Sequence, residues 1–329
     1  MKGIPTTVLV APDSFKGTFS APEVAVAMGR GLEAAGRAVD LCPVADGGEG
    51  TLGALVGALG GEVARARVHD PLGRETEAGF ALLDAGTRAV IETAAANGLG
   101  LVAESERDPV AATTRGTGEL ILAAVEAGAG TVLLGVGGSA TTDGGAGAIA
   151  AIREGGGLGP TRLIILCDVQ TPFEDAARIY APQKGADPDA VRRLARRLSD
   201  HARRLPRDPR GLAMTGAAGG LSGGLWAAFG AELVPGAAFV LAALGFEERM
   251  RAARAVLTGE GRLDGQSLAG KAVSEVATRA RQAGVPCHAI VGERKLDAFG
   301  ARILDLQAIL EATTLEEIEA AGARLADLL

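Results

Sequence analysis

Histidine, cysteine and aromatic residues are scarce in this chain, and each scarcity closes off a class of chemistry. Only three histidines occur in 329 residues. His69, His201 and His288 lie far apart, with no HExxH pair and no Cys/His ligand spacing. A histidine-dependent triad and a histidine zinc site are therefore poor readings, and acid–base work falls to carboxylates and lysines. Cys42, Cys167 and Cys287 are odd in number and form no CxxC, which fits reduced thiols and a cytoplasmic protein. No apolar run reaches the ~18 residues of a membrane span. Val8–Ala11 stops at Pro12-Asp13, too short for a signal-peptide core. Basic residues are outnumbered, 33 against 40, for a net charge of −7, which disfavours a nucleic-acid partner. Low charge content and positive mean hydropathy exclude a largely disordered chain.

Glycine, by contrast, is abundant at 49 residues and follows no G-X-Y period. At ~100–200 residues per domain the length suggests two domains or one large one. Thr7–Ala11 reads as a strand, Ser20-Ala-Pro-Glu23 as a capping box opening a helix to about Ala35, and Val39–Val44 as a second strand. A helix over Thr51–Leu59 completes the alternation of a parallel sheet with helical crossovers. Beyond Arg65 the texture changes. Arg65–His69, Thr76–Leu83 and Arg88–Glu92 are close-set strands separated by turn residues, which predicts hairpins. A helix over 117–127, strand Thr131–Val136, a helix from Gly145 and strand Leu163–Asp168 follow. The arginines of the helix opened by Asp187-Pro read as a solvated face. The opening texture returns as strand Ala255–Thr258, helix Ala269–Ala283 and strand Cys287–Val291, and Thr314 caps a last helix.

The predicted fold class is α/β with two domains. Residues 1–64 with 255–329 would form a discontinuous, Rossmann-like doubly wound domain, and 65–254 an inserted mixed α/β domain. The expected small-molecule site is the cleft between them.

The polar residues that stand out lie in glycine-rich loops after strands. They are Asp13-Ser14-Phe-Lys16-Gly, Asp46-Gly-Gly-Glu49-Gly, Gly137-Gly138-Ser139-Ala-Thr-Thr142-Asp143-Gly-Gly, Asp168, Gln183-Lys184-Gly, Gly216–Gly220 and Gly259-Glu260-Gly-Arg-Leu-Asp264. Such loops let backbone N–H groups approach anionic oxygens. Lys16 and Lys184 can neutralise phosphate, while the carboxylates can hold Mg²⁺ or take a proton. Gly135–Ala140 also fits the GxGxxA dinucleotide fingerprint, with Glu154 as its acid. Gly265–Ala272 falls one residue short of a Walker A loop, has Ala272 where a hydroxyl would ligate Mg²⁺, and reads as a phosphate-friendly helix start instead of a true P-loop.

Together these loops resemble the bacterial glycerate kinases of the class that includes the glyoxylate- and galactarate-pathway enzymes. The matching stretches are Ala11–Gly17, Pro43–Thr51, Thr114–Leu120, Gly137–Gly147, Pro182–Ala186, Gly216–Leu221 and Leu257–Asp264, in one order along the chain. The resemblance implies ATP-dependent phosphorylation of D-glycerate, at the 2-hydroxyl, with ATP and Mg²⁺, and a homodimer is compatible with it. The stretch between Ala148 and Asp168 is shorter than in that family, and Thr171-Pro-Phe-Glu stands where the family has a glycine-containing run.

On this reading Lys16 stabilises the transferring phosphoryl group, Asp168 accepts the hydroxyl proton with Asp46 as the second choice, and Glu260 and Asp264 hold Mg²⁺. Gly137, Gly138, Ser139, Thr142 and Asp143 cradle phosphate or the substrate carboxylate, with Asp13, Ser14, Glu49 and Lys184 around them. Asp13 and Asp143 are alternatively turn caps. Arg115 either grips the substrate carboxylate or makes a surface ion pair. Two other functions compete: a non-catalytic anion or nucleotide sensor on the same fold, and an NAD-linked dehydrogenase.

Overall fold

The computed structural model describes residues 6–265, 267–268 and 270–329. In chain order the first elements are β1 (Thr7–Pro12), α1 (Ala21–Ala34) and β2 (Ala38–Leu41). There follow α2 (Thr51–Leu59), β3 (Glu62–His69), β4 (Glu75–Leu83), β5 (Arg88–Glu92), α3 (Ala94–Asn97), α4 (Arg115–Glu126), β6 (Thr131–Gly135), α5 (Ala146–Glu154) and β7 (Arg162–Leu166). Then come α6 (Ala176–Tyr180), α7 (Pro188–Ala202), α8 (Ala217–Phe229), β8 (Glu232–Val234), α9 (Gly236–Ala243) and α10 (Phe246–Ala252). The chain closes with β9 (Ala255–Leu263), α11 (Ala272–Ala283), β10 (Cys287–Arg294), α12 (Ala298–Leu304), β11 (Leu306–Glu311) and α13 (Leu315–Ala326).

The chain divides into two units, one of residues 1–46 with 237–329 and the other of residues 47–236. In the first, five parallel strands run in the order β11-β10-β9-β1-β2. β1 is an aliphatic run buried almost throughout, as a central parallel strand covered on both faces must be. The Ser20–Glu23 capping box starts α1, whose Val24, Met28 and Leu32 meet Ile318 and Leu325 of α13 in the core. Arg249 of α10 reaches Asp40 of β2 with two guanidinium nitrogens, at 2.9 and 2.5 Å, tying the 237–254 segment to this sheet.

The second unit carries a six-stranded sheet in the order β3-β4-β5-β6-β7-β8. β3–β5 are antiparallel, as the hairpin spacing predicted, and β5–β8 are parallel. The boundaries fall at 46 and 237, against 64 and 255 expected from the sequence. The reason is local. Helix α2 packs on β4 and β5, and β3 pairs with β4 along its whole length, so residues 47–69 belong to the second unit. The core of this unit joins Ile91, Leu120, Leu134, Ile149, Ile165 and Leu221. A satellite cluster gathers Phe173, Leu194 and Leu198.

Several elements depart from the sequence reading. Gly259–Leu263 continues β9 as strand, because it pairs with β10 as far as Leu263↔Arg294. Helix α11 runs from Ala272, and Ala269, where the sequence reading opens it, lies outside the described residues. β8 and β11, short and only partly buried, carry no clear alternation and were not foreseen.

Candidate active site

In the first unit, taken in the chain order of its own strands, the sheet reads 2-1-3-4-5. The order reverses between β1 and β9, and ligands of such sheets bind outside the carboxyl ends of the strands at this switch point. Asp13 follows β1 directly, and Glu260 lies on β9 one residue beyond the last β1 pair, Pro12↔Gly259. The Asp13 amide donates to the Gly259 carbonyl at 2.8 Å, which brings the two loops together. At Gly261 a Cβ would lie 3.2 Å from the Phe15 Cα and 3.3 Å from the Lys16 nitrogen, so a side chain there would press on the Asp13–Gly17 loop. Lys16 reaches over to Asp46 at 3.2 Å. Lys271, the N-cap of α11, stands 3.5 Å from Glu260.

Asp13, Asp46 and Glu260 therefore cluster with two lysines at the switch point. Burial pushes the Asp13 carboxyl up to about 8, helped by the Asp46 charge and opposed by Lys16 and by the Ser14 amide that donates to it. Burial likewise raises Glu260 above the ordinary carboxylate range, against the pull of Ser267 and Lys271. Lys16 is held charged, first by Asp46 and also by Asp13. The site thus gathers more negative charge than its own cations neutralise, the condition under which a cation or a protonated carboxyl completes the balance. The Glu260 Oε1 and Ser14 Oγ atoms are buried without a hydrogen-bond partner among the described residues. An orphaned carboxylate oxygen fits a hard, oxygen-seeking cation such as Mg²⁺. No group of three or more His, Cys, Asp or Glu arranged to hold a metal is found among the described residues. Asp264, the second expected metal ligand, opens the turn after β9, where its amide donates to the Ser267 hydroxyl at 3.1 Å.

In the second unit the expected residues gather beyond the carboxyl ends of the adjacent parallel strands β6 and β7. Gly137, Gly138 and Ser139 follow β6, and Asp168 follows β7. Gly47 and Gly48 lie across these ends, so close that a Cβ at Gly137 would sit 2.5 Å from the Gly48 Cα. Glu49 is exposed beside them. Lys184 is buried, and its ammonium donates to the Ser139 hydroxyl at 3.1 Å and the Thr141 carbonyl at 2.5 Å. Burial lowers its pKa to about 7, with the charge of Asp143 opposing. The hydroxyls of Thr141 and Thr142 are buried without partners among the described residues.

Asp143 is spent on the fold. Its carboxylate accepts from the Thr114 amide (2.9 Å) and hydroxyl, and from the amides of Gly145 (3.0 Å) and Gly147 (3.1 Å) at the start of α5. It joins the amino-terminal ends of α4 and α5, the turn-cap alternative raised by the sequence. Arg115 donates to Glu119 (2.9 Å) and Glu154 (2.8 Å), so its guanidinium forms ion pairs at the surface of α4.

Two residues, one in each unit, were not named as site candidates from the sequence. Glu92, at the end of β5, accepts from the Leu52 amide at 2.8 Å, so a half-buried carboxylate caps α2. Lys271 stands at the phosphate-friendly helix start that the near-miss Walker A segment offers, as the N-cap of α11. Gln266 and Ala269 of that segment lie outside the described residues. The dinucleotide fingerprint fails on geometry, because α5 starts at Ala146 and not in the turn directly after β6. Its acid, Glu154, is at the far end of that helix, paired with Arg115.

Comparison with known proteins gives this geometry its context. The family model described as the glycerate kinase family matches residues 8–154 and 157–328. The chain belongs to the glycerate kinase family. Its relatives include a glycerate kinase of Halalkalibacterium halodurans, 39% identical over 326 residues that cover 87% of this chain and 85% of the relative. The glycerate 2-kinase of Escherichia coli K12 is 39% identical over 323 residues, covering 87% and 84%. A crystal structure from Salmonella typhimurium LT2, provisionally named glycerate kinase 2, superposes with a TM-score of 0.81 at 34% identity and covers 98% of both chains. The α/β fold expected from the sequence is therefore that of the family. No helix among the described residues is long and apolar enough to cross a membrane.

Proposed function

We propose that this chain transfers the γ-phosphoryl group of ATP to the 2-hydroxyl of D-glycerate. The observation that carries the reading is the charge cluster at the β1/β9 switch point, where Lys16 and Lys271 stand among Asp13, Asp46 and Glu260. Family membership and its glycerate-kinase relatives support the same chemistry.

Phosphoryl transfer requires positioning and neutralisation of charge more than covalent help. Lys16 stabilises the equatorial oxygens of the transferring group, its ammonium kept protonated chiefly by Asp46. Glu260, with Asp264, would hold Mg²⁺, which supplies Lewis-acid neutralisation of phosphate charge when bound. Asp168 accepts the proton of the substrate hydroxyl, with Asp46 the second choice. The loop Gly137–Thr142 presents Ser139 and the Thr142 hydroxyl to an anionic group, and Lys184 positions that loop from within. Asp13 and Ser14 shape the switch-point cluster, and Glu49 stands free to meet a polar ligand. Arg115 serves the substrate carboxylate only if its ion pairs with Glu119 and Glu154 are exchanged for it.

The test is an ADP-release assay with D-glycerate, ATP and Mg²⁺, with the product read by ³¹P NMR. Formation of 2-phosphoglycerate supports the proposal, while 3-phosphoglycerate overturns its regiochemistry. Absence of turnover while ATP still raises Tm would instead favour a sensor on the kinase fold.

A further inference from the structure

The second unit contains a cavity of about 610 Å³ that the proposed phosphoryl-transfer chemistry does not use. One wall is a single stripe of α7 and the turn that follows it. Arg193, Arg196, Arg197, His201 and Arg204 recur at the spacing of one helix face, and Leu194, Leu198 and Ala202 on the other face fill the Phe173 core. The opposite wall is Ala111–Thr113 with Asp143, Ala146 and Gly147.

The sequence alone reads these arginines as a solvated face. The structure separates them into two sets. Arg192 and Arg203 pair with Asp189 and Asp200 of their own helix. Arg197 is fixed, donating to the Val110 carbonyl at 2.7 Å and the Thr142 carbonyl at 3.1 Å. Its Nε and the His201 Nε2 are buried without a partner among the described residues. The guanidinium groups of Arg193, Arg196 and Arg204 make no hydrogen bond or ion pair among the described residues, yet they line a concave space. Both aspartates in the wall are already engaged, Asp143 by Thr114, Gly145 and Gly147 and Asp200 by Arg203. Four cations thus face one cavity in a chain of net charge −7. The amides at the start of α5 are consumed by Asp143, so a ligand would be met by guanidinium groups and not by a helix end.

We propose that this cavity binds a compact polyanion, a small molecule with at least two phosphate groups or a phosphate and a carboxylate. Planar guanidinium forks suit such oxygens, and the volume is that of a small-molecule site. An extended nucleic acid would need an open basic face instead.

Inorganic pyrophosphate, free of divalent cations, is the probe. Its binding to the full chain is measured by calorimetry at fixed ionic strength, in the wild type, in Lys16→Ala and in Arg193→Ser/Arg196→Ser. The two serines replace exposed side chains, and circular dichroism and Tm report whether that variant stays folded. Arg204→Ser is the second variant if the pair does not fold. The expected result is at least about tenfold weaker binding in the arginine variant, unchanged binding in Lys16→Ala, and about tenfold preference for pyrophosphate over sulfate. Unchanged affinity in the arginine variants overturns the proposal. So does loss of binding in Lys16→Ala, which would place pyrophosphate in the first unit, or equal affinity for sulfate, which would reduce the effect to a diffuse counter-ion cloud.

Discussion

Replacing Asp13 by Asn removes a buried carboxyl while keeping an oxygen for the Ser14 amide, which donates to it at 2.7 Å. In the folded chain this carboxyl is pushed from its ordinary 3.8 up to about 8. Between those values the folded state holds a proton that the unfolded chain has released, so rising pH destabilises the wild type relative to the variant. At ~1.4 kcal/mol per pKa unit the cost is at most ~1.6 kcal/mol at pH 5 and ~4 kcal/mol at pH 7, and it levels off above about pH 8. Asp13→Asn is therefore predicted to gain on the wild type by up to ~3 kcal/mol between pH 5 and pH 7, of order 6 °C in Tm. Calorimetric melts of both proteins from pH 5 to pH 9 measure this directly. A difference that stays constant within ~1 kcal/mol across the range, or one that grows in favour of the wild type, would falsify the account of a carboxyl kept protonated by burial and by Asp46.

Asp168→Asn should lower kcat by at least about a hundredfold if Asp168 takes the hydroxyl proton, with ATP protection against melting unchanged. A change under about tenfold would move that role to Asp46. Asp143→Ala should destabilise the second unit by at least ~3 kcal/mol in urea titrations, since the amides of Thr114, Gly145 and Gly147 lose their charged acceptor together. An Asp143→Ala protein of wild-type stability and poor substrate KM would instead restore the binding role. Glu92→Ala should cost ~2 kcal/mol by uncapping α2, and faster hydrogen exchange at Leu52 would locate the effect.

Much of the candidate site was legible before any coordinate, because glycine and charge at the ends of aliphatic strands is a local signal. Asp13, Lys16, Asp46 and Glu260 could each be named from their loops. That Glu260 belongs to an extended strand could not, since its pairing partner in β10 lies about thirty residues away. Asp143 illustrates the limit from the other side. Its loop reads equally well as a phosphate cradle or as a cap, and only the approach of Thr114, from a different helix, shows which donors occupy the carboxylate. Glu92 ends a strand and gives no sign in sequence that the start of α2 lies over it. The arginines of α7 are periodic in sequence, but periodicity does not say whether the face they form meets solvent or walls a cavity.

By itself the chain therefore determined what depends on neighbours a few residues apart: alternating strands and helices, the capping box at Ser20, the Thr314 cap of the last helix, and the glycine-rich loops that follow the strands. The tertiary structure alone decided what depends on long-range pairing. It set the unit boundary at 46 by packing α2 on β4 and β5, placed Lys271 beside Glu260, and brought the Thr114 donors onto Asp143. The physical reason is that a backbone preference acts locally, whereas burial and charge pairing are settled only when distant segments share the same space.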